Sequence, residues 1–135
     1  MEVLIDTSVW SKALRSRQGD MERREISKLV DEFRVAMIGP VRQETLSGTR
    51  HEEQFEKAKQ RLRAFPDLSL STKIYEQAAA YFNLCRANGV QGSHVDFLIC
   101  SAAAYYGLSI YTLDSDFEAY EKHLPIKRYV TQTAE

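Results

Sequence analysis

Cysteine is scarce in this 135-residue chain: Cys85 and Cys100 are the only two, with no CxxC spacing and no histidine pairing beside them. That argues against a disulfide framework or a thiolate metal knuckle, and for two reduced, buried, small apolar side chains. Three prolines and six glycines are too few for a collagen-like or low-complexity chain. No apolar run approaches the length of a membrane span. The opening MEVLID is interrupted by Glu2 and Asp6, which leaves too short a run for a signal peptide. Neither sign of charge dominates, with 18 basic residues against 19 acidic and a net charge of −1. A polyanionic partner would therefore need local basic patches or bound cations. The expectation is a cytoplasmic protein folded as one compact domain over residues 1–135, with no membrane partner.

Short apolar runs alternate with amphipathic stretches along the chain. Residues 2–5 (EVLI), 35–38 (VAMI), 68–70 (LSL), 109–113 (SIYTL) and 126–130 read as strands. Three- and four-residue apolar spacing predicts helices over 20–33, 51–65, 74–88, 95–106 and 117–123, with a further helix over 41–47. Ile26, Leu29, Val30 and Phe33 form the apolar stripe of the first of these. The stretch 95–106 is apolar almost all round and is expected to be central and buried, with Trp10, Tyr105 and Tyr106 in the core as well. Asn88-Gly89 and Gly107 read as helix stops. Strands alternating with helices imply an α/β fold on a mostly parallel sheet of four to five strands.

Functional crevices of open α/β sheets lie at the carboxyl ends of the strands. Asp6 and Asp114 each follow a strand directly; Glu44 sits one turn into the helix after VAMI, and Asp96 in the first turn of the apolar helix. Each has an ordinary alternative. Asp6 and Asp114 suit helix caps, Ser93 to Asp96 matches a capping box, and Glu44 suits a solvated helix face. Four acids at equivalent ends of successive elements nevertheless call for a joint explanation. Two carboxylates about 4 Å apart repel by roughly 4 kcal/mol at an effective dielectric near 20. Such a cluster needs a cation, and an all-oxygen donor set suits Mg²⁺ or Mn²⁺. The chemistry this favours is phosphodiester hydrolysis.

The segments LIDTSVW (4–10), VRQETLSG (41–48), HVDFLICSAAA (94–104) and YTLDSDF (111–117) resemble, in order and spacing, the PIN domain. The likeness runs from about residue 2 to residue 130 and is nearest to VapC-type toxins of toxin–antitoxin pairs. It implies a three-layer α/β/α fold and a divalent-metal-dependent endoribonuclease. On this resemblance Asp6, Glu44, Asp96 and Asp114 hold Mg²⁺ or Mn²⁺, Asp116 is an accessory acid, and Thr7 and Thr112 offer hydroxyls to the acids. It further implies a homodimer and a complex with a VapB-type antitoxin protein.

Arg15, Arg17, Arg23 and Arg24, close after Asp6, are the expected RNA contacts; a second basic group comprises Arg42, Arg50, Lys57, Lys59, Arg61 and Arg63, diluted by Glu52, Glu53 and Glu56. His94 stands two residues before Asp96, while His51 and His123 have no evident role. The alternatives are a PIN-domain ribonuclease that is not a toxin, a PIN-like module that has lost its site, and a phosphoaspartyl phosphatase. The phosphatase would want a second acid where Ser8 stands, and the interaction module would have lost its acids.

Overall fold

The computed structural model describes residues 1–132. Its four strands, β1 (Val3–Ile5), β2 (Val35–Ala36), β3 (Ser109–Tyr111) and β4 (Lys127–Arg128), form an all-parallel sheet in the order β2-β1-β3-β4. Helices α1 (Thr7–Arg15), α2 (Asp20–Asp31), α3 (Gly39–Ser47), α4 (Glu52–Leu62), α5 (Thr72–Ala87), α6 (His94–Tyr106) and α7 (Asp116–Glu121) make the connections. Val3, Leu4 and Ile5 are all fully buried, as expected of a central parallel strand covered on both faces. The middle of α6 is buried from Ile99 to Ala103, and the neighbouring α5 contributes Ile74, Ala78, Tyr81 and Cys85 to the same core. Both cysteines are buried and free.

Three sequence expectations need correction. Residues 68–70 form no strand: an isolated parallel bridge joins Asp67 to Met37, with the Leu68 N–H donating to the Met37 carbonyl, before the chain leaves for α5. Tyr105 and Tyr106 are exposed rather than core, at 56% and 37%. They close the last turn of α6, where consecutive side chains point about 100° apart and cannot both face inward. Phe33 lies outside α2 and is 91% exposed, and Val30 is also exposed. There α2 ends in a Schellman turn, with the Arg34 N–H bonded to the Leu29 carbonyl and Phe33 in the left-handed region at φ 56°. Gly89 and Gly107 hold the corresponding place after α5 and α6, at φ 77° and 70°.

Candidate active site

β1 lies between β2 on one side and β3 on the other, so the chain departs in opposite directions from the carboxyl ends of two adjacent strands. Such a switch point opens a crevice. Asp6 leaves β1 into it with extended backbone (φ −73°, ψ 157°) and caps α1, its Oδ1 accepting from the Thr7 N–H at 2.7 Å. Capping thus takes one oxygen only. Its Oδ2 accepts from the hydroxyls of Ser8 and Thr112, each at 2.8 Å. Thr112, just beyond β3, accepts in turn from the Asp114 N–H at 2.9 Å, and Ser8 accepts from the Leu113 N–H at 3.0 Å. The two strand ends are thereby tied together through the carboxylate of Asp6, which is only 5% exposed.

Asp114 Oδ1 accepts from the Asp116 N–H at 2.9 Å, which brings these two acids to one corner. Asp96, in the first turn of α6, completes the group: Asp96, Asp114 and Asp116 each present an oxygen, and these lie within 4.8 Å of one another. Half of the anticipated capping box is present, since Ser93 Oγ accepts from the Asp96 N–H at 3.0 Å. The Asp96 carboxylate itself accepts from the Tyr120 hydroxyl at 2.6 Å. Burial raises the pKa of Asp96; hydrogen bonds from Tyr120 and Ser93 pull it down, and the charges of Asp6 and Asp114 push it up again. None of these four acids forms an ion pair among the described residues. Mutually repelling carboxylates with no protein cation among them fit a hard divalent ion.

Glu44 is not in that group. It is exposed on α3 and its side chain makes no hydrogen bond or ion pair among the described residues, although α3 packs against α1 and α6, the helices that follow Asp6 and carry Asp96.

Comparison with known proteins gives this arrangement a family. The model of the PIN domain matches residues 3–123. The chain belongs to the PIN-domain family. Among curated relatives of this PIN domain, the VapC ribonuclease Mb1587 of Mycobacterium bovis and ribonuclease VapC11 of Mycobacterium tuberculosis are each 32% identical to it, over 86% of this chain and 89% of theirs. Among solved structures, VapBC2 from Rickettsia felis bound to a promoter DNA fragment is similar with a TM-score of 0.77 at 17% identity, covering 96% of this chain and 98% of that one. FitAcB from Neisseria gonorrhoeae gives 0.75 at 18%, covering 95% and 96%. At such identities the structural likeness concerns the fold.

Two side chains of this PIN domain's site, Ser8 and Tyr120, escaped the sequence reading. Ser8, noted only for standing where a phosphatase would need an acid, is a direct hydroxyl donor to Asp6. Thr7 was given that part, yet its Oγ1 is buried without a partner, because the helix turns its side chain elsewhere while its N–H is capped. Tyr120 sits four residues beyond Asp116, and only the periodicity of α7 signals that it faces inward. His94 is exposed and stacked on Phe82 with ring centroids 5.0 Å apart, and no histidine joins the acidic group.

The basic residues after Asp6 also divide differently from expectation. Arg15 donates to the Thr45 carbonyl and the Thr49 hydroxyl, bracing α1 against α3, and Arg23 donates to the carbonyls of Ala13 and Ser16. Both are structural ties, and Arg17 and Arg24 remain exposed. In the second group Arg42 is another tie, while Lys57 and Lys59 pair with Glu53 and Glu56.

Proposed function

We propose that this chain is a divalent-metal-dependent endoribonuclease that hydrolyses RNA phosphodiester bonds as the toxin of a VapBC-type toxin–antitoxin pair. The observation that carries the reading is the convergence of Asp96, Asp114 and Asp116 at the switch point, with oxygens within 4.8 Å, in a chain whose relatives are VapC ribonucleases. Asp96 and Asp114 are the principal ligands for Mg²⁺ or Mn²⁺, with Asp6 behind them and Glu44 completing the set from α3. Asp116 is the accessory acid. A divalent cation held there would offset the repulsion among the acids and supply Lewis-acid activation of a water beside a phosphodiester.

The chain's own residues do the rest. Ser8 and Thr112 orient the Asp6 carboxylate by donating to its Oδ2, and Thr112 fixes the loop carrying Asp114 by accepting its N–H. Asp114 does the same for Asp116. The carboxylates are thereby preset by hydrogen bonds made before substrate arrives, which is how orienting partners raise ligand competence. The antitoxin is a VapB-type protein, the acting form is a homodimer, and the cytoplasm is where its RNA is met.

The test is cleavage of single-stranded RNA by the purified chain with Mg²⁺ or Mn²⁺, with EDTA, and in Asp96→Asn and Asp114→Asn variants. EDTA should abolish cleavage, and each variant should lose more than the roughly 10–100-fold that removal of an orienting partner costs. Cleavage that persists in EDTA, or unchanged rates in both variants, would refute the reading. Induction in cells should arrest growth for the wild-type chain and spare it for Asp114→Asn. Light scattering should report twice the chain mass.

A further inference from the structure

Tyr120 lies outside the four acidic motifs, yet among the described residues its hydroxyl makes the one tyrosine contact to an acid of the group, donating to Asp96 Oδ2 at 2.6 Å. Its ring is fully buried and fixed on two sides, by Phe97 and by Phe117, each with centroids 5.0 Å away. The backbone of Gly92 closes over the hydroxyl. A Cβ at that position would collide with the Tyr120 hydroxyl and Cζ and press on Phe97, so only glycine lets the loop before α6 lie where it does.

We propose that Tyr120, under the glycine gap at Gly92, is a positioning residue of the cation site: it holds one oxygen of Asp96 and keeps the other for an ion shared with Asp114 and Asp116. This rests on the metal-nuclease reading above. The terminal torsion of an aspartate is broad and roughly two-fold, so a half-buried carboxylate beside two others would otherwise turn away from them. A rigid hydroxyl removes that freedom before the ion arrives. The competing view is that a buried tyrosine needs a polar partner and Asp96 happens to supply it.

Tyr120→Phe separates the two, because it keeps the ring packing and removes only the hydrogen bond. The readouts are the melting temperature in EDTA, the Mn²⁺ dissociation constant by calorimetry, and the cleavage rate against Mn²⁺ concentration. The expected result is Mn²⁺ affinity weakened roughly 10–100-fold, with most of the rate restored at high Mn²⁺. Affinity within twofold of wild type would overturn the proposal, whatever the melting temperature does. So would a rate that high Mn²⁺ leaves low, since that places the hydroxyl in the reaction itself. Gly92→Ala, which retains both side chains but crowds the hydroxyl, should weaken Mn²⁺ in the same direction. If the wild-type chain binds no Mn²⁺, or Asp114→Asn binds it equally well, the metal site itself is wrong and this inference falls with it.

Discussion

Asp96 must be ionised to hold a cation, while its surroundings favour the protonated form. Burial, with the charges of Asp6 and Asp114, lifts its pKa above the ordinary 3.8, against the opposing hydrogen bonds of Tyr120 and Ser93. The folded state therefore binds the proton more tightly than the unfolded chain does. Stability in EDTA should fall as pH rises from that ordinary value through the raised one, and the deficit should persist at neutral pH. Asp96→Asn keeps an acceptor for Tyr120 and has no charge to bury. It should flatten this part of the pH profile and raise the melting temperature at pH 7 by a few degrees in EDTA, while Mn²⁺-dependent cleavage is lost. A variant less stable than wild type in EDTA would contradict the account, and calorimetry across pH 4–8 decides it. At this scale the sequence placed Asp6 and Asp114 at strand ends, and the structure puts Asp6 directly after β1 and Asp114 shortly after β3. The sequence could not apportion hydroxyls: Thr7 and Ser8 are adjacent and chemically alike, and only the turn of α1 decides that Ser8 faces Asp6.

Helix ends were legible where glycine marks them and misleading where it does not. Gly89 and Gly107 announced the stops of α5 and α6, whereas Phe33 prolonged the apparent apolar stripe of α2 although it occupies the same left-handed position. A non-glycine residue there carries about 1–2 kcal/mol of strain, and the nearly bare Phe33 ring recovers little of it by packing. Phe33→Gly gives back part of the gain through the looser unfolded chain, so a net stabilisation of about 0.5–1 kcal/mol is expected in urea denaturation. A loss of stability would mean that the Phe33 ring packs against something. Arg42 makes the opposite case. Counted in the sequence as a cation for RNA, it instead donates to the carbonyls of Leu62 and Phe65 and to Asp67, securing the end of α4 beside α3. Arg42→Met should cost about 1.5–3 kcal/mol, the scale of charge-assisted hydrogen bonds, and change RNA affinity little once folding is restored. Periodicity had no means of signalling this role, because it depends on the Leu62 and Phe65 carbonyls, which lie far along the chain beyond α3.

For the whole molecule, near-neutral charge conceals a division of labour. Arg15, Arg23, Arg34, Arg42 and Arg128 are committed to carbonyls or carboxylates, and Lys57 and Lys59 to neighbouring glutamates. Arg17, Arg24, Arg50, Arg61 and Arg63, among others, form no ion pair among the described residues and are left to meet phosphates. With two or three contacts, the slope of log affinity against log salt for single-stranded RNA should be only about −1.4 to −2.1. The acids work against even this attraction until a cation neutralises them. In EDTA, Asp114→Asn should therefore bind RNA more tightly than the wild-type chain. Removing one repelling charge is worth about 1 kcal/mol in a solvated crevice, roughly fivefold in affinity. Ca²⁺ in place of EDTA should reverse the order, because the wild-type carboxylates then hold an ion that a phosphate oxygen can also reach. Fluorescence anisotropy with one labelled RNA under both conditions measures the crossing. If the variant binds more weakly than wild type in both, RNA does not approach the acidic crevice at all, and the cations and acids of this chain face different partners.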